Sequence, residues 1–100
     1  MRSHFTAQEM AFVNAILSLK TKEECISFLE DICTIKEIQD LSQRLEVALL
    51  LDEGNNYLDI SKRAKVSTAT ISRVSRCLNY GEGGYRMAIE RIKESQSNNE

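Results

Sequence analysis

One hundred residues suffice for one compact domain with a modest core. A hydrophobic fraction of 42% and a charged fraction of 28% read as globular and exclude disorder. No apolar run approaches the roughly 18 residues of a membrane span. The formal net charge of −2 is unevenly spread: residues 57–80 carry Lys62, Arg63, Lys65, Arg73 and Arg76 against Asp59, and the remainder is acidic. A cationic island on an anionic body points to local contact with a polyanion, although a solvated lysine face gives the same pattern.

Cys25, Cys33 and Cys77 cannot pair off evenly and form no CxxC, so free thiols are expected, the first two packed on apolar helix faces. His4, the sole histidine, is expected in solvent at a frayed end. No metal or other cofactor is expected. Met1-Arg2-Ser3-His4-Phe5 leads straight into a polar helical pattern, so a signal peptide is not expected and the cytoplasm is the default location.

With no proline and glycine only at positions 54, 81, 83 and 84, helix is the default between those points. Thr6-Ala-Gln-Glu9, Thr21-Lys-Glu-Glu24 and Thr34-Ile-Lys-Glu37 have the form of capping boxes, in which the threonine hydroxyl and the glutamate each take an orphan N–H. Phe5 with Met10, and Cys33 with Ile38, stand where hydrophobic staples would close over two of them. Helices are therefore predicted over about 7–19, 22–33 and 35–52. The first has apolar residues on two faces: Met10, Val13 and Leu17, then Phe12, Ile16 and Leu19. The third widens from a stripe to the run Val47, Leu49, Leu50 and Leu51. Helices apolar beyond one stripe need more than one packing partner, which in so short a chain suggests a second copy. Asp52-Glu-Gly-Asn-Asn56 is a turn by composition, and two further helices follow over about 57–65 and 68–79. Gly81-Glu-Gly-Gly84 is expected to be a flexible joint before a last helix at 85–94, with Ser95–Glu100 a loose polar tail.

Residues 57–80 carry the pattern of a helix-turn-helix, whose second helix must offer small and polar residues to the DNA major groove while apolar residues anchor it. Ile60 and Ala64 can face inward, Val66 can plug the turn, and Ile71, Val74 and Leu78 form the inward stripe of the second helix. Ser67 suits its N-cap. The opposite face holds Thr68, Ala69, Ser72, Arg73 and Arg76, with Thr70 beside them; small and hydroxylated residues approach base edges, and arginines reach guanine or phosphate. Lys62 and Lys65 add phosphate contacts. Two departures stand out: Ser61 where alanine is usual, which serine is small enough to replace, and Lys65 where glycine usually makes the turn. A lysine held at positive φ costs on the order of 1 kcal/mol, or else the turn has another shape.

Ala69-Thr-Ile-Ser-Arg73 with Ser75 and Leu78 resembles the recognition helix of the Trp repressor family, and Leu41-Ser-Gln-Arg-Leu45 resembles the helix preceding its reader. Leu78-Asn-Tyr-Gly-Glu-Gly-Gly-Tyr85 resembles the YerC/YecD group of that family in Bacillus-type bacteria. The resemblance covers roughly residues 25–93. It implies an all-α fold of about six short helices forming an intertwined homodimer, with residues 7–52 as dimerisation helices, 57–80 as the reading head and 85–94 as the C-terminal helix. It also implies double-stranded DNA as partner, with half-sites about one turn apart. Arg44 and Arg73 match two arginines that flank the bound tryptophan in the Trp repressor. Val74 replaces the glycine beside the indole and Cys77 a serine that helps hold the amino acid, so an effector at Arg44, Arg73, Val74 and Cys77 stays open while tryptophan is not expected.

The expected function is thus a dimeric, sequence-specific DNA-binding regulator, a repressor by resemblance, with no membrane role. A helical module that docks on the transcription machinery without reading bases is the alternative. Enzymatic activity is not expected, because the chain offers no titratable or nucleophilic constellation and no phosphate-cradling glycine loop.

Overall fold

The computed structural model describes residues 4–98, the side chain of Asn98 apart. Met1–Ser3, which entered the expectation about a leader, lie outside the described residues. Among the described residues the chain is all-α: α1 (Ala7–Ser18), α2 (Lys22–Ile32), α3 (Ile35–Asp52), α4 (Tyr57–Ala64), α5 (Thr68–Tyr80) and α6 (Gly84–Asn98). None of these helices is long and apolar enough to cross a membrane. The first five begin at the residues the capping and turn signals indicate.

Two of the three boxes close in full. Glu9 N–H donates to Thr6 Oγ1 at 3.1 Å while Thr6 N–H donates to Glu9 Oε1 at 2.9 Å. Thr34 and Glu37 repeat the exchange at 3.1 and 2.8 Å. The middle box is displaced: Thr21 Oγ1 caps Glu24 N–H, but Glu24 Oε1 accepts from Lys20 N–H at 2.8 Å instead of from Thr21. The carboxylate still satisfies a free donor ahead of the helix, one residue earlier than the motif prescribes.

The last helix departs most from expectation. It continues through Ser95–Asn98, which were expected as loose tail, because nothing between Tyr85 and Asn98 breaks a helix; residues 99–100 lie outside the described residues. Gly81 and Gly83 also serve geometry. Gly81 N–H donates to Cys77 O at 2.9 Å, and a Cβ there would come 2.3 Å from that carbonyl oxygen. Gly83 sits at φ +87°, open to glycine at little cost.

The chain divides into two compact units, with the boundary between Gln39 and Asp40 inside α3. In the first, neither α1 nor α2 has a buried residue. Phe12 and Phe28 stack with ring centroids 6.1 Å apart, yet Phe12, Ile16, Leu17, Ile26 and Ile32 remain exposed, Leu17 at 76%.

The second unit holds the core: Val47, Ala48 and Leu50 of α3, Ile60 and Ala64 of α4, Ile71, Val74 and Leu78 of α5, and Ile89 of α6. Leu49, Leu51, Val66 and Tyr85 pack against it from the edges. Helix α5 lies against both α4 and α6. The turn after α3 closes through Gly54 at φ +92°, with Gly54 N–H on Leu51 O and the Asn55 side chain on Leu50 O, each at 3.0 Å. Asp52 pairs with Lys93 and, at 3.5 Å, with Arg86, tying α6 to the end of α3.

Candidate nucleic-acid interface

The helix-turn-helix is built from α4, a three-residue turn and α5. Asn56, which the sequence pattern left inside a generic turn, is the N-cap of α4, its Oδ1 accepting from Asp59 N–H at 2.9 Å. Helix α4 ends at Ala64 because Lys65 adopts left-handed backbone, φ 58° and ψ 47°. The turn therefore has the shape that usually calls for glycine, and Lys65 bears its cost. Ser61 contributes more than small size: its Oγ donates to Val66 O at 2.7 Å, holding the turn from the preceding helix. Ser67 then caps α5, with Oγ accepting from Thr70 N–H at 3.2 Å and lying 3.2 Å from Thr70 Oγ1.

Three buried side chains, Ile71, Val74 and Leu78, fix which side of α5 faces the core. Their spacing of three and four leaves Thr68, Ala69, Ser72, Arg73 and Arg76 exposed on the remaining surface, with Thr70 half-buried. Lys62, Lys65 and Ser67 are exposed on the same helix-turn-helix. The face is thus polar and cationic with small residues leading, a surface that admits close approach of base edges and phosphates. The first N–H groups of α5 not taken by the Ser67 cap add a preference for anions.

Below this face, a cavity of about 360 Å³ is lined by Asp40, Gln43, Arg44, Lys65, Val66, Thr70, Arg73 and Val74. It unites three of the four residues expected at an effector site: Arg44 half-buried, Arg73 exposed and Val74 almost fully buried. Cys77, the fourth, is exposed and is not among the lining residues, because it lies a full turn beyond Arg73 on α5. Asp40, Gln43, Lys65, Val66 and Thr70 were missed as lining residues. The spacing Asp40, Gln43, Arg44 puts all three on one side of α3, a signal available in the sequence. Lys65 gave no such signal, since its direction depends on the left-handed turn.

Residues 7–93 match the family model of the Trp repressor protein. The match begins well ahead of residue 25, where the resemblance of motifs starts. The chain is 60% identical over 84 residues to the uncharacterized protein YerC of Bacillus subtilis strain 168, covering 84% of this chain and 81% of that protein. A TrpR-like protein from Eubacterium eligens has a crystal structure that superposes with a TM-score of 0.84 at 52% identity, covering 88% of this chain and 91% of the other. A candidate Trp repressor from Staphylococcus aureus gives the same TM-score at 44% identity, covering 89% of each chain. The helical fold with its helix-turn-helix and these likenesses together establish that the chain belongs to the Trp repressor family, typically helix-turn-helix DNA-binding regulators.

Proposed function

We propose that this chain is a cytoplasmic bacterial transcription regulator that binds double-stranded DNA as a homodimer, reads the major groove with α5 and acts as a repressor. One observation carries the reading: Thr68, Ala69, Ser72, Arg73 and Arg76 stand exposed on α5 while Ile71, Val74 and Leu78 anchor its other side. In this reading Thr68, Ala69, Thr70 and Ser72 meet base edges and nearby phosphates. Arg73 and Arg76 reach guanine or phosphate, and Lys62, Lys65 and Ser67 hold the backbone.

The homodimer is supported by the first unit, whose apolar side chains Phe12, Ile16, Leu17, Ile26 and Ile32 are exposed in the single chain. A second copy covers them, and two reading heads then meet half-sites about one DNA turn apart. The cavity at Arg44, Arg73 and Val74 serves as an effector site. Tryptophan is not its ligand, because the branched side chain of Val74 stands where the Trp repressor leaves room for an indole.

Selection of bound sequences from random duplex DNA tests the reading, and recovery of a palindrome is the expected result. Arg73→Ala with Arg76→Ala should weaken binding of the selected site at least tenfold, since each such contact is worth about 1–3 kcal/mol. Wild-type affinity in the double variant, or binding to heparin but to no DNA at moderate salt, would replace this reading with that of a protein-docking module.

A further inference from the structure

The cavity beneath the reading head has an unusual charge balance. Arg44, Lys65 and Arg73 line it against a single carboxylate, Asp40, and Gln43 and Thr70 add an amide and a hydroxyl. Among the described residues none of the three cations has an ion-pair partner. Lys65 and Arg73 are exposed and Arg44 half-buried, so water solvates them, but like charges lining one concavity focus their field and draw anions to it.

The turn residue sharpens the point. Lys65 occupies left-handed backbone that glycine adopts freely, and it is the lone non-glycine residue at positive φ among those described. It lines the cavity together with Arg44 and Arg73. A non-glycine residue held in strained backbone beside a cavity points to a functional role for its side chain. With Asp40 counted, the lining carries a net charge of +2, and a monocarboxylate would balance half of it. A phosphate monoester carries a charge of about −1.5 to −2 at neutral pH and three acceptor oxygens. Guanidinium forks and an ammonium suit such a group, the first by paired N–H donors and the second as a point charge.

We infer that this cavity is a seat for a dianionic phosphoryl group, and that a free phosphorylated ligand seated there weakens DNA binding. The second half rests on the DNA-binding reading above, because Lys65 and Arg73 belong both to the cavity and to the DNA face. A phosphate in the seat neutralises the cations that the DNA backbone needs, so seat and DNA compete. The ligand then acts as a releasing agent. A phosphate of the DNA itself is the other source of the same chemistry, and the two arms below separate them.

In the first arm, inorganic phosphate and pyrophosphate are titrated into the full chain without DNA, followed by amide shifts and calorimetry. Saturable binding with shifts at Lys65, Thr70 and Arg73 is expected, weakened at least about tenfold by Arg44→Ala. Lys65→Gly, which keeps the turn, should weaken it likewise and guards against a folding defect in the first variant. In the second arm, affinity for duplex DNA is measured in phosphate and in chloride at matched ionic strength. Phosphate should raise the Kd of wild type about tenfold, within the usual range of coupling between sites, and change that of Arg44→Ala far less. Binding to DNA with no saturable phosphate binding would make the DNA backbone the sole source and overturn the inference. So would phosphate binding that leaves DNA affinity unchanged or strengthens it. Absence of DNA binding in chloride would overturn the parent reading and the competition together, while the first arm would still decide the seat.

Discussion

Lys65 illustrates how one residue is held by two opposed demands. Its left-handed backbone costs about 1–2 kcal/mol for a residue with a Cβ, against roughly 0.5–1 kcal/mol of extra chain entropy that glycine loses on folding. Lys65→Gly should therefore stabilise the chain by about 0.5 kcal/mol, a rise in Tm of roughly 2–4 °C by thermal melting. The same change should lower affinity for DNA and flatten its dependence on salt, since one phosphate contact is removed. Stability and binding moving in opposite directions would mark Lys65 as kept for its charge. Ser61 shares in the arrangement, because its hydrogen bond to Val66 O secures the residue that follows the strained one.

At the scale of elements, the orientation of α5 is set by its two ends as well as by its buried stripe. Ser67 fixes the start through Thr70 N–H, and Gly81 fixes the exit by closing on Cys77 O. A Cβ at Gly81 would meet backbone atoms, with Cys77 O at 2.3 Å and Cys77 C at 3.1 Å, and backbone cannot rotate aside. Gly81→Ala should cost about 1–3 kcal/mol in urea melts, the usual range for overpacking. An unchanged midpoint would mean that the α5–α6 connection is free to reshape. Asn79 Oδ1 accepts from Arg86 at 3.1 Å, and Arg86 also reaches Asp52, so the end of α5, α6 and the end of α3 share one polar chain.

At the scale of the whole molecule, two predictions separate what holds the second unit from what the first unit requires. The Lys93 hydrogen bond to Asp52 lowers the carboxyl's pKa; burial pushes the other way, and the charges of Lys93 and Arg86 lower it further. A carboxyl depressed in the folded state contributes stability above its unfolded value, and that contribution is lost as pH falls through the folded value. The Tm gap between wild type and Asp52→Asn should stay constant down to about pH 5, narrow below about pH 4 and vanish at lower pH. A gap independent of pH would mean that the pair contributes no charge-dependent stability. Ile16 is 46% exposed in the single chain, so Ile16→Asp should be nearly neutral for a monomer. In the proposed dimer it buries an unpaired charge, and sedimentation should then report dissociation with loss of thermal stability. Leu49→Asp would also destabilise the chain but is less discriminating, since Leu49 packs against the core of the single chain as well.

Much of this protein was legible in its residues because the signals are local. Threonine–glutamate spacing, turn composition and the three-four spacing of Ile71, Val74 and Leu78 act within one or two helical turns. They were enough to start five helices and to divide α5 into a buried and an exposed side. Tertiary structure decided what depends on distant or strained groups: the cavity joining Arg44 of α3 to Arg73 of α5, the exclusion of Cys77 from it, and the Asp52–Lys93 tie. It also decided the aim of Lys65, since a side chain leaving a left-handed residue points where no helical or strand periodicity predicts.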